Sequence, residues 1–204
     1  MVRVAFRGLS AAVALTAAVL LIEAAWIPAK AALGQWLLER SWRLTLETGQ
    51  AHRPWPWADT TPVAVLEVPR LGVRQVVVSG ASGRNLAWAP AALTGEDVRG
   101  DVILSGHRDT HFRFLEHLGA SDRLRLLTPA GVRHYRVTAR EVVDSRTAEI
   151  VIEAGAARLT LVTCYPFDAF EAGGPWRYVV TALPLEPPPD PVGGREATAG
   201  MAAG

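Results

Sequence analysis

Apolar residues follow three patterns along this chain, and each pattern specifies a different part of the molecule. The first is a run: Arg3 and Arg7 precede residues 8–22, fifteen uncharged and mostly apolar positions. That is shorter than the ~20 residues a membrane helix usually needs. Extension to Ile27 adds a single charge, Glu23, close to the interface where it costs little, and Trp26 suits a headgroup boundary. Residues 1–30 therefore read as an uncleaved signal anchor. The competing reading is a cleaved signal, since Ala29-Lys-Ala31 has the small-x-small form of a cleavage site, but it lies nine residues past the run and beside Pro28. Lys30, Arg40 and Arg43 offset Arg3 and Arg7, so charge alone does not set the orientation. On either reading the bulk of the chain is exported.

The second pattern has helical spacing. Leu33, Trp36, Leu37, Trp42 and Leu44 predict a short amphipathic helix after the anchor, lying on the membrane or on the folded domain. Pro54, Pro56 and Pro62, interleaved with Trp55 and Trp57, predict a stiff linker, so residues 31–61 form a helix and a spacer. The third pattern is short β-branched runs at 63–68, 73–78, 102–105, 124–127, 132–143, 158–164 and 177–183, punctuated by Gly, Pro, Asp or Ser. Helical turns are expected only near residues 86–88 and 111–118. A mostly antiparallel sandwich or small barrel over residues 62–185 follows. Residues 149–153 suit a short helix or a strand, and the Pro- and Gly-rich tail 186–204 is expected to be disordered. A chain beginning at Thr60 is expected to stay soluble and active.

Charge then removes one class of function. With 21 basic against 20 acidic residues the formal charge is +1, which leaves no electrostatic footprint for nucleic acid. Half of the residues are hydrophobic, enough for a core.

The single cysteine adds chemistry. Cys164 ends the strand-like run Arg158-Leu-Thr-Leu-Val-Thr-Cys164, 57 residues after His107 in the turn-like Ser105-Gly-His-Arg-Asp109. A lone cysteine forms no internal disulfide, and with scattered histidines it makes a poor zinc set, which leaves a thiol nucleophile or a small buried hydrophobe. A nucleophile needs an acid–base partner and a positive environment, and His107 and Arg177 can supply them. Arg177, on the strand after Cys164, has the planar fork that would stabilise an oxyanion. Thr163 is a second candidate for oxyanion or substrate support, through its hydroxyl or neighbouring amides. His111 reads as structural, while Arg108 and Asp109 either orient the histidine turn or are simply solvated.

Taken in order, Ser105-Gly-His-Arg-Asp109, Thr160-Leu-Val-Thr-Cys164 and Trp176-Arg-Tyr-Val-Val180 resemble the sortases, with Leu66-Glu-Val-Pro-Arg-Leu-Gly-Val73 similar to their first hairpin. The resemblance implies a mostly β fold, a closed eight-stranded barrel with short helices behind an N-terminal membrane helix. It implies a cysteine transpeptidase in which Cys164 attacks a sorting motif of an exported protein. His107 would protonate the leaving amine, and the thioacyl intermediate would pass to an amine on the cell wall or on another protein. No cofactor or metal is implied. Some sortases bind calcium near the equivalent of residues 144–155, where Glu149 and Glu153 alone are too few for a site. With one anchor, the chain looks most like the sortases of Gram-negative bacteria, single-pass in the inner membrane with a periplasmic catalytic domain. A hydrolytic thiol peptidase and a non-catalytic exported β-barrel that binds a partner are the alternatives.

Overall fold

A computed structural model describes residues 2–94, 100–149, 157–169 and 173–185. The tail 186–204 and Glu153 lie outside the described residues. The elements are α1 (Val2–Thr48), β1 (Pro62–Val68), β2 (Val73–Ser79), α2 (Gly83–Leu86), β3 (Ala91–Ala92), β4 (Val102–Ser105), β5 (Arg123–Thr128), β6 (Gly131–Asp144), β7 (Leu159–Cys164) and β8 (Trp176–Pro184). Short 3₁₀ turns occupy Pro69–Leu71 and Arg113–His117.

Period-two alternation closes these strands on themselves. Leu66, Leu104, Leu124, Leu126, Leu159, Leu161 and Val180 all face one interior with Phe112, Leu115 and Tyr135. The eight strands form a closed barrel in the order β1-β2-β3-β4-β7-β8-β6-β5, which leaves no unpaired edge. Two of its pairings are parallel, β2 with β3 and β4 with β7, so the antiparallel expectation holds only for the remainder. β3 is a pair of alanines. Nothing β-branched marks them in the sequence, and pairing with β2 and β4 is what makes them a strand.

Strands that read as unbroken apolar runs are covered on both faces. β1 turns Ala64, Leu66 and Val68 inward, while Val65 joins Val76, Val78, Ala89 and Ala91 in a second cluster outside the barrel, capped by Leu38 and Trp42 of α1. The anchor and the amphipathic helix expected from the sequence are one continuous helix across Pro28, and its second half docks on the domain. Gly34, Leu38, Ser41, Trp42 and Thr45 make the buried stripe, whereas Leu33 and Trp36, expected on the apolar face, are exposed. Gly34 is required by proximity, because a Cβ there would lie 2.5 Å from the Trp88 ring. The proline-rich segment is not a free spacer either. The Ser41 hydroxyl donates to the His52 carbonyl at 2.5 Å, Trp55 packs edge-on against Trp88 at 5.3 Å, and Pro54, Ala58 and Thr60 are buried.

This cover changes what truncation should do. A chain beginning at Thr60 loses Leu38 and Trp42 and bares the apolar outer face of β1 and β2, so it should aggregate or unfold at lower denaturant than a chain beginning at Lys30. In the full chain, Trp42→Ala should cost about 3–5 kcal/mol by urea unfolding. Equal stability of the two truncated chains would show that α1 is not part of the domain.

Candidate active site

Register builds the site. In the parallel β4–β7 pair Ser105 lies opposite Val162, so His107 and Cys164, each two residues further on, leave the barrel at the same level. Ile103 and Val162 form an apolar cluster on the outer face with Val179, while the intervening Leu104 and Leu161 point inward, so the same alternation carried past the strand ends would put His107 and Cys164 on that outer face. Two bonds hold the register at this end. The Gly106 amide donates to the Val162 carbonyl at 3.2 Å, and the buried Thr163 hydroxyl donates to the Gly106 carbonyl at 2.8 Å. Gly106 has no room for a side chain, because a Cβ would meet the Phe112 ring at 2.8 Å. Phe112 in turn donates its amide to the His107 carbonyl at 3.0 Å.

β8 supplies the third group. Cys164 pairs directly with Arg177 across the antiparallel β7–β8 ladder, so both side chains lie on one face. The thiol is free and half-buried, and His107 is exposed. Arg177 donates from Nη1 to the Gly174 carbonyl at 2.8 Å and the Trp176 carbonyl at 2.9 Å, its two hydrogen bonds among the described residues. Nε and Nη2 make no hydrogen bond among the described residues. Thr163 sits on the inward side of β7 with its hydroxyl committed to Gly106, so its contribution is to position the histidine turn. The Tyr165 amide is likewise committed, to the Trp176 carbonyl at 3.1 Å.

Arg108, which the sequence left either orienting the histidine turn or solvated, is not solvated. It is 6% exposed, and its fork donates to the Pro166 carbonyl at 2.8 Å, the Ala169 carbonyl at 3.0 Å and both oxygens of Asp109. The hydrogen bond to the Asp109 carboxylate, and then its charge, hold the guanidinium proton more tightly than usual, against the opposing effect of burial. The same bonds draw the Asp109 carboxyl below its ordinary range. Arg108 thus ties the His107 turn to the segment that follows Cys164. Its position inside the Gly-His-Arg motif was the available signal, but burial of an arginine in a turn is a tertiary property. Next to it, Tyr165, Phe167 and Tyr178 form an aromatic cluster whose ring centroids lie 5.2–6.1 Å apart.

His111 bridges outward from this turn. Its Nδ1 lies 3.3 Å from Gln75 Oε1, and burial, followed by the charge of His107, pushes its pKa below 6.5 against a backbone bond to Ala87. Among the described residues no group of three or more His, Cys, Asp or Glu side chains could hold a metal ion. Glu149 lies instead on an outer groove of about 260 Å³ with Thr160, Val179 and Thr181, the same strand faces that carry Cys164 and Arg177.

Three comparisons bear on this arrangement. Residues 66–185 match a family model described as Sortase domain. Sortase D of Bacillus subtilis (strain 168) is 32% identical over 138 residues, 66% of this chain and 64% of that protein. The chain therefore spans slightly less than two thirds of the length of that curated relative. Of the solved structures, Sortase A from Corynebacterium diphtheriae aligns with a TM-score of 0.56 at 21% identity, covering 66% of this chain and 65% of that one. Sortase C-1 from Actinomyces oris aligns at 0.51 and 25%, covering 61% and 74%.

Two outcomes follow from the site's construction. Arg108→Lys keeps the charge but not the fork, so turnover should fall roughly 10- to 100-fold through misplacement of His107, with the circular dichroism spectrum unchanged. Unaltered kcat would show that the Arg108 brace does not set the placement of His107. For His111, the unfolded chain binds the proton more readily than the fold does, so stability should decline as pH falls through 6.5 and level off below the folded value. His111→Asn should flatten that decline in urea midpoints measured between pH 7.5 and pH 5, and a wild-type slope retained in the variant would place the titration elsewhere.

Proposed function

This chain belongs to the sortase family, whose members are cysteine transpeptidases, and from that premise we propose that it cleaves a sorting motif in an exported protein and transfers the acyl fragment to an amine. The observation that carries the reading is the matched offset of His107 and Cys164 beyond a registered strand pair, with Arg177 directly across from the sulfur. In the proposed reaction the Cys164 thiolate attacks the scissile backbone carbonyl. The carbonyl oxygen gains the negative charge, and the Arg177 Nε and Nη2 protons face it. His107 gives a proton to the departing amine, leaving a thioacyl enzyme. The acceptor amine then loses a proton to His107 as it displaces the sulfur, restoring both groups. Ile103, Val162, Val179 and Val143 offer the apolar floor beside Cys164 on which substrate side chains would lie. No cofactor enters this scheme.

The half-buried thiol argues against Cys164 as mere core filling, since a packed hydrophobe at that position would be closed to solvent. From Leu15 onward α1 is long and apolar enough to cross a membrane, which supports a single-pass anchor with the catalytic domain outside the cytoplasm. The proposed Gram-negative, inner-membrane setting rests on that one anchor alone, since the relatives named above come from Bacillus, Corynebacterium and Actinomyces.

Cys164→Ala should abolish turnover with the fold retained, and Cys164→Ser should be nearly as inactive because a hydroxyl is far less acidic. Retention of more than about a tenth of wild-type transpeptidation by Cys164→Ala would exclude the covalent route. Arg177→Lys should lower kcat about 10²- to 10³-fold, as loss of an oxyanion donor does. A raised KM at constant kcat would instead assign Arg177 to substrate binding. Product analysis with and without added amine distinguishes transfer from hydrolysis. A single product that is the same in both would make the enzyme a peptidase.

A further inference from the structure

Away from the site, α1, the proline-rich segment and the α2 region enclose an apolar groove of about 310 Å³, lined by Leu33, Leu37, Trp55, Trp57 and Trp88 among others. Leu33 is 56% exposed and Trp57 80% exposed, a cost in water unless something apolar covers them. The groove continues the membrane-facing helix. Trp26, Lys30, Leu33 and Leu37 recur at i, i+4, i+7 and i+11, so one stripe of α1 runs from the end of the apolar span into the groove. At 1.5 Å per residue, Lys30 stands about 6 Å beyond Trp26 and Leu33 about 10 Å beyond it, at or just above headgroup level. Lys30, its ammonium 5.5 Å from the centre of the Trp26 ring, and Arg84 line the groove against a single carboxylate, Asp59, which lies 3.9 Å from Arg84. The lining thus carries one positive charge in excess.

We infer that this groove takes a phospholipid of the bilayer that α1 enters, an acyl chain lying against Leu33, Leu37 and the tryptophans and the anionic headgroup meeting Lys30 and Arg84. The volume is at the low end of the ~300–1,000 Å³ of ligand sites, which suits a length of one chain and not a whole lipid. Such a lipid would fix the domain's height and tilt over the membrane. The inference rests on the anchored reading of α1.

The test uses the full chain carrying Trp26→Phe and Trp36→Phe, reconstituted in phosphatidylcholine–phosphatidylglycerol vesicles with or without bromine on the acyl chains. Three of the five remaining tryptophans line the groove, so bromination should lower the fluorescence by about a third or more. Leu37→Glu in the groove and Arg84→Glu at its exposed rim should each reverse at least about half of that loss, the second without any core change to confuse it. A chain that fails to float with the vesicles would refute the anchor. A chain that floats without quenching would leave the anchor standing and overturn the lipid site. Quenching that neither substitution reduces would mean that the domain merely touches the bilayer, and would overturn it too.

Discussion

Parallel pairing of β4 with β7 at an offset of 57 residues underlies the chemistry proposed for this molecule. β4 is only four residues long, and a slip of one position would turn His107 toward the barrel interior and away from Cys164. Ties at both ends prevent that slip. At one end the almost fully buried Asp101 meets Arg158 at 2.6 Å. At the other, Gly106 and Thr163 exchange the hydroxyl–carbonyl bond that fixes the start of the histidine turn.

Around this pair the barrel and its outer cover divide the apolar residues. Closure of eight strands fills the interior, and what remains on the outside of β1 and β2 is sealed by Leu38 and Trp42 of α1. The helix that would hold the chain in a membrane is thereby also part of the folded domain. Helix and barrel are joined, since the segment between α1 and β1 folds back on both instead of spanning freely.

The two arginines beside Cys164 are held in contrasting ways. Arg108 is buried and bonds to two carbonyls and a carboxylate, so it serves as a fixed brace between the His107 turn and the segment after Cys164. Arg177 is more exposed and bonds only to carbonyls of its own strand and the adjoining loop. Such bonds exchange readily for those of a substrate carbonyl, which is the behaviour the proposed oxyanion role requires. A rigid brace and a replaceable donor are both needed where one group positions the base and another follows developing charge.

Alternation and β-branching in residues 62–185 determined by themselves that this region is a strand-built domain, because burial on a pleated sheet selects for that pattern, and seven of the eight strands are legible there. The Gly-His-Arg and Thr-Cys motifs also marked His107 and Cys164, since a short turn and a strand end constrain residue type locally. Tertiary structure decided what local pattern does not encode. It paired β4 with β7 in parallel, made a strand of two alanines, chose which stripe of α1 meets the barrel, and buried Arg108 beneath residues 166–169. Each of these depends on which surfaces meet across long separations in the chain, and the free energy of such contacts belongs to the pair and not to either segment alone.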